Sequence, residues 1–288
     1  MSYFPLNRPI PKTPPTIASG TWVNKTGGGH ALGRDLPSGG IELVAIPNGA
    51  GTNSRHLLTW AAPSAPYTLT AQLNCSFWPG SNPGIAGLVL YESGTQKGLE
   101  WDLYWVTTTF LHWNYGKFAT PSTSFSAYSD VSIPGLLDSS NVFLEMRNDG
   151  TNITSGWSVD GIGWNRVHTP LALTTPFTTA PNYYGLIIDN TSADSNTTAY
   201  TVNGATNASP IVLSFTANHS LRTGDVVTVA SVGGNTAANG DWFVTYVDQT
   251  HVSLDGSTGN GSWTSGGTAT LHQILTRMSC LSLDITVG

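Results

Sequence analysis

The sequence predicts an all-β protein, and three observations carry that prediction. Apolar residues recur with period two. Tyr67, Leu69, Ala71, Leu73, Cys75 and Phe77 share one face of one run, and Leu99, Trp101, Leu103 and Trp105 share one face of another. This is the period of a pleated strand, whose successive side chains point to opposite faces. Turn signals separate such runs, most clearly Asp149-Gly150 and Asp160-Gly161. Asp-Gly suits a type I′ turn, which needs positive φ at both central residues. Composition agrees: the 288 residues include 32 Gly, 10 Trp, 10 Tyr and 9 Phe, and only 10% are charged. A chain this aromatic and this weakly charged folds, with a neutral surface of hydroxyls and amides. No helical pattern longer than a turn or two is present.

Residues 141–169 organise the chain. Val142, Leu144 and Met146 alternate with Phe143, Glu145 and Arg147. The two Asp-Gly turns then predict two further strands, over 151–159 and 162–167, and so a three-stranded meander. Ser158, Asp160, Gly161 and Trp164 make the pattern S-x-D-G-x-x-W. With it the stretch resembles the strand pair of concanavalin A-like jelly rolls of the laminin-G and glucanase type. The resemblance implies a two-sheet β-sandwich. It implies no activity, because function lives in sites grafted onto folds. Asp160-Gly161 is expected to make the turn and Trp164 to pack the sandwich.

From the start of the chain, residues 1–20 carry Pro5, Pro9, Pro11, Pro14 and Pro15. Proline fixes φ and removes a donor, so these residues form an extended arm. The arm lies along the domain or docks on a neighbouring subunit. Gly27 to Gly29 are followed by neither Lys-Ser/Thr nor a helix pattern, which favours a turn over a phosphate loop. Strands are expected over 40–46, 55–60, 67–77, 86–93, 98–106, 110–118 and 183–190, with an apolar turn at 131–137.

Near residue 201 a new β unit begins. Its landmarks are H-x-L-x-T-G-D-x-V-x-V from His219 and N-G-x-W-x-V from Asn239. With these it resembles a small β-barrel module that recurs in tailed-phage virion proteins and is related to a half-domain of ubiquitin-activating enzymes. The likeness covers about 70 residues and brings no catalytic residue. After it, Leu281, Leu283, Ile285 and Val287 share one face of a strand that resumes the first domain. The expected fold is therefore all-β: a concanavalin A-like β-sandwich, or jelly roll, interrupted near its C-terminus by a small inserted β-barrel. Its parts are an arm at 1–20, a sandwich at 21–200 plus 272–288, and a barrel at 201–271. Insertion at an exposed loop is tolerated, since each doubling of a closed loop costs only about 0.6 kcal/mol.

Bulk properties argue against several functions. A net charge of −6 with 11 Lys and Arg leaves no basic groove for nucleic acid. No run of about 18 apolar residues is present to span a membrane. Residues 1–15 lack an apolar core, so no signal peptide is expected. Cys75 and Cys280 are too far apart for a zinc ribbon and are read as separate thiols, or as a disulfide if their strands adjoin. The seven His are scattered without a metal-ligand spacing. No G-x-S-x-G elbow exists.

Three groups could carry chemistry. The first is Glu100-Trp101-Asp102-Leu103-Tyr104. Glucanases of the resembled fold carry E-x-D-x-E or E-x-D-x-x-E on one strand, where period two puts the carboxylates on the cleft face. Retaining hydrolysis needs two of them about 5 to 5.5 Å apart. Glu100 and Asp102 match, but Tyr104 or Trp105 stands where the second glutamate belongs. The other glutamates, Glu42, Glu92 and Glu145, do not supply it. No catalytic residue is expected, and the acids are read as solvated or hydrogen-bonded. The second group is a possible Ca²⁺ site, which the resemblance to lectins and laminin-G domains implies for Asp149, Asp160, Asp189, Asn190 and Asp194. Turn Asp and Asn otherwise bond their own backbone. The third is an aromatic sugar platform of Tyr104, Trp113, Tyr115, Trp157 and Trp164, with Glu100 and Asp102 beside it. The alternative for these rings is the sandwich core.

These readings converge on a non-enzymatic virion protein of a tailed bacteriophage, assembled in the host cytoplasm. It would be a tail fibre or tip, or a head decoration, that contacts host-surface glycans. The expected partners are other virion proteins, further copies of the chain (a trimer favoured) and a surface polysaccharide. Neither nucleic acid nor membrane insertion is expected. The alternatives are a glucanase-like phage depolymerase and a bacterial surface lectin.

Overall fold

The structure, a computed structural model, describes every residue except 1–13, 26–29, 48–53, 78–83, 107–109, 123–124, 134–140, 167, 191–197 and 275. Most of the proline arm, Gly27 to Gly29, residues 134–137 of the expected apolar turn, and Asp194 therefore lie outside the described residues. In chain order the strands are β1 (Thr21–Val23), β2 (His30–Asp35), β3 (Ile41–Ile46), β4 (His56–Ala61), β5 (Tyr67–Phe77), β6 (Gly84–Glu92) and β7 (Lys97–Val106). Then come β8 (Phe110–Phe118), β9 (Phe125–Ile133), β10 (Asn141–Asn148), β11 (Asn152–Ser158), β12 (Leu171–Ala172) and β13 (Tyr183–Asn190). The last are β14 (Ala199–Ala205), β15 (Ile211–Phe215), β16 (Val226–Ala230), β17 (Gly240–Asp248), β18 (His251–Leu254), β19 (Thr268–His272) and β20 (Thr276–Val287). Two compact units result: Met1–Ala193 with Leu275–Gly288, and Asp194–Ile274.

The first unit is a β-sandwich of two seven-stranded sheets, ordered β1-β4-β13-β6-β7-β8-β9 and β12-β11-β10-β5-β20-β3-β2. The alternating runs place one face of each sheet inward. Leu88, Trp101 and Leu186 of the first sheet belong to the same buried cluster as Leu69, Leu73 and Leu144 of the second. Burying each such side chain contributes roughly 1.5–3 kcal/mol. All six predicted positions of β5, Tyr67 through Phe77, are buried. Strand β20, which follows the inserted unit, lies between β5 and β3 and so fills the middle of the second sheet.

Several expectations need correction here. Pairing of β20 with β5 shifts between Cys280 and Ser282, a β-bulge. The extra residue changes the phase, so Cys280 and Leu283 both reach the core and Leu281 does not share the face of Leu283. Val287 is exposed. The third strand of the 141–169 meander is also absent. Past Gly161 the chain returns to β11 through one bridge, Trp157 to Asn165, and β12 flanks β11 instead. At both turns only the glycine has positive φ, 91° at Gly150 and 73° at Gly161, so neither is type I′. The aspartates act through their side chains. Asp149 Oδ1 accepts the N–H groups of Thr151 and Asn152, and Asp160 Oδ1 those of Ile162 and Gly163. Trp164 lies outside the core, beside the guanidinium of Arg166.

Cys75 and Cys280 are both buried and are not joined by a disulfide. They sit on adjacent strands but face Met278 and Leu73 respectively. Burial pushes the Cys280 thiol up to about 12.

The second unit is a closed six-stranded barrel, β14-β15-β18-β17-β16-β19. Ile211, Leu213, Val227, Val244, Val252 and Leu254 fill it. Its second motif is structural. The Asn239 amide bonds both the N–H and the carbonyl of Val232, and Trp242 Nε1 donates to the Ala238 carbonyl.

Candidate functional site

In the central strands β4, β13, β6 and β7, both faces of the first sheet are largely buried among the described residues. Its outer face carries an apolar cluster of its own, with Leu57, Ile85, Val89, Tyr91, Phe118 and Ile187. Polar groups are set among them. Register fixes their places: on β7, Glu100 lies opposite Val89 and Gly116, Asp102 opposite Gly87 and Asn114, and Tyr104 opposite Ile85 and His112. Asp189 on β13 lies opposite Ile85. Glu100 and Asp102 are both 0% exposed. They are hydrogen-bonded, as one sequence reading had it, but not solvated.

Arg55, just before β4, anchors this row. Its Nε lies 2.6 Å from Glu100 Oε2 and its Nη2 3.1 Å from Oε1, a two-pronged ion pair. Its guanidinium also lies 5.5 Å from the centre of the Phe118 ring. Asn114 Nδ2 donates to Asp102 Oδ2 at 3.2 Å. Asp189 Oδ2 accepts the Ser54 N–H at 3.1 Å. Burial would lower the Arg55 guanidinium, but Glu100 beside it holds it above its ordinary value. Burial pushes the Asp189 carboxyl up to about 6, against the pull of Arg55. His56 next to it is driven down to about 4 by burial, although its Nδ1–H donates to the Asn24 carbonyl.

This arrangement joins strands through buried charged and polar contacts. Hydrolysis of the glucanase kind needs two carboxyl groups open to one substrate. Here one carboxylate is filled by a guanidinium and the other takes an amide, and neither touches solvent. Arg55, Asn114 and Asp189 were not read from the sequence as members of this group. A lone Arg heading an apolar strand (Arg55 before Leu57 and Leu58) was the one signal available.

The residues expected at a sugar site do not come together. Glu100, Asp102 and Tyr104 share its outer face, with Tyr104 half-buried. Trp113 and Tyr115 point the other way, into the sandwich, at 1% and 2% exposure. Trp113 stacks on Trp101 at 5.2 Å and on Trp157 at 5.4 Å between ring centres. Tyr115 stacks on His168 at 5.0 Å. Trp101 Nε1 donates to the Gly156 carbonyl at 2.9 Å. Trp113 and Tyr115 are thus core residues closed to a sugar, and Trp157 is a half-buried ring packed against that core. Among the possible calcium ligands, Asp149 and Asp160 are taken up by turn N–H groups. Among the described residues, no group of three or more His, Cys, Asp or Glu is arranged to hold a metal ion.

Open concavities lie on the barrel. One of about 350 Å³ is lined by Thr206, Asn207, Ser214, His251, Ser262 and Trp263, among others. Another, of about 460 Å³, lies between the loop carrying His219 to Thr223 and Tyr246.

No family model matches the sequence, and no curated protein matches it. Solved structures do resemble the fold. A functionally unknown protein from Saccharomyces cerevisiae shares 10% identity at a TM-score of 0.43, covering 95% of this chain and 99% of its own. The carbohydrate-binding module CBM66 from Bacillus subtilis shares 10% identity at 0.39, covering 59% and 93%. The CBM2 module of the evolved Dit of Lactobacillus casei BL23 phage J-1 shares 9% at 0.35, covering 82% and 76%. At this level of identity and superposition they say nothing of what this chain binds.

Proposed function

We propose that the chain is a non-enzymatic, carbohydrate-binding component of a tailed-phage virion. It serves as an appendage, a tail fibre or tip or a head decoration, that contacts host-surface glycans. One observation carries the non-enzymatic part: the acid strand has its first carboxylate closed by Arg55 and a tyrosine, Tyr104, in the place of the second glutamate. Binding is supported by the barrel concavities, which combine aromatic rings with hydroxyl and amide groups. Sites that bind small ligands are built in this way, from apolar walls and a few placed polar groups. The expected assembly is a homotrimer with other virion proteins, which the mass of the purified protein in solution checks.

Labelled antibody against the chain is expected to decorate intact particles, and purified protein to bind isolated surface polysaccharide and block adsorption. Absence of the chain from purified particles would remove the virion reading. A head decoration would bind particles without blocking adsorption.

A further inference from the structure

We propose that the concavity between loop 219–225 and Tyr246 of the barrel binds a sugar residue carrying a carboxylate. This rests on the glycan-binding reading above and gives it a place and a chemistry.

The loop is held rigidly. Its ends are tied to neighbouring chain by His219 N–H to the Gln249 carbonyl and Gly224 N–H to the Val244 carbonyl, with Val244 N–H returned to the Asp225 carbonyl. The motif residues of the loop are spent on this frame. His219 Nδ1 accepts the Leu221 N–H, which leaves the ring proton on Nε2 facing the His251 carbonyl at 3.3 Å. Thr223 Oγ1 accepts the Tyr246 N–H at 3.0 Å. Asp225, the acid of the loop, accepts the Arg222 N–H at 2.8 Å through its carboxylate. Ser220 Oγ is bonded to the Tyr200 hydroxyl at 2.7 Å, so Arg222 is the polar side chain of the loop left to line the space.

Arg222 is what selects the ligand. Among the described arginines, Arg34, Arg55, Arg166 and Arg277 are each ion-paired with a glutamate. Arg147 and Arg222 are both exposed and have no ion pair among the described residues, and of the two Arg222 lines a concavity of about 460 Å³. A guanidinium offers a planar fork that matches a carboxylate, and unlike a lysine it fixes the plane of its ligand. Opposite it stands Tyr246, 45% exposed and held edge-on by His219 with ring centres 5.9 Å apart. A flat exposed aromatic offers its face to sugar C–H groups, while its hydroxyl stays wet. The space, the cation and the ring together fit a uronic-acid-type residue of an acidic polysaccharide.

The test is binding of the full chain to an array of bacterial surface polysaccharides, each in native and in carboxyl-reduced form. The expected result is retention of acidic polysaccharides that is lost on reduction. Arg222→Gln and Tyr246→Ala should each weaken it at least about tenfold, as loss of a charge-assisted contact does. Arg222→Lys should restore part of the Arg222→Gln loss. Retention that survives carboxyl reduction, or that is unchanged in Arg222→Gln, overturns the proposal and leaves glycan binding standing. No retention of any glycan overturns both.

Discussion

The acidic strand of the sandwich and loop 219–225 of the barrel both gather charged and hydroxyl side chains, and they use them in opposite ways. Around the strand, Arg55, Asn114 and Asp189 from neighbouring segments join Glu100 and Asp102 in a buried layer. On the loop, backbone groups satisfy His219, Thr223 and Asp225, and Arg222 is left facing open space. A cluster of polar residues is therefore a poor sign of a site. The sign is a charge that the fold has not already used.

The comparison breaks most sharply on stability. Removing one partner of a buried ion pair leaves an uncompensated charge and costs about 3–5 kcal/mol. Arg55→Ala should therefore lower the urea midpoint of the sandwich severely. The double change Arg55→Met with Glu100→Leu should cost much less, because it leaves no charge behind. Equal losses in the two would mean that the pair is solvated. Trp113→Ala should cost a similar 3–5 kcal/mol, since it opens a cavity between Trp101 and Trp157. A near-neutral Trp113→Ala would put the ring back on the surface.

A smaller effect comes from pH. The carboxyl of Asp189 titrates near 6 in the fold and near 3.8 otherwise. Between those values the folded state holds the extra proton, so this group makes stability fall as pH rises from about 4 to about 6. His56 acts in the opposite sense, because its folded value is about 4 against 6.5. The unfolded state holds the extra proton there, and stability rises with pH over that window. Each slope is up to about 1.4 kcal/mol per pH unit. Asp189→Asn should therefore leave a clear rise in stability between pH 4 and 6.5. Urea midpoints at four pH values check this, and an unchanged slope would show Asp189 ionised throughout. The smallest effect is at the barrel loop. Arg222→Gln and Tyr246→Ala should change stability by no more than about 0.5 kcal/mol, as exposed substitutions do.

Much of this was legible in the residues, and the failures have a common cause. Period two located β5 and β7, the strand expected over 183–190 is β13, and the two motifs of the barrel are those that frame its loops. Alternation assigns two faces to a strand but does not say which is wet. In the first sheet neither is, because Leu57, Val89 and Ile187 cover the outer face while Trp101 and Trp113 cover the inner one. So Glu100 and Asp102 read as a cleft face and are interior, and Trp113 and Tyr115 read as a platform and are core. The phase change at Leu281 was hidden for a related reason: a bulge adds a residue without any change of residue type. The Asp-Gly turns were correctly placed but wrongly typed. Asp149 and Asp160 grip the following N–H groups with their own carboxylates, a bond available to Asp in several turn geometries.

We propose that this sandwich holds its glucanase-like acid strand as structure and that the chain binds glycan without cutting it. Incubating the protein with isolated host-surface polysaccharide, and counting both retained chain and new reducing ends over time, tests it directly. The account predicts retention with no rise in reducing ends. A steady release of reducing sugar that stops in Glu100→Gln, in a variant shown to remain folded, would contradict it.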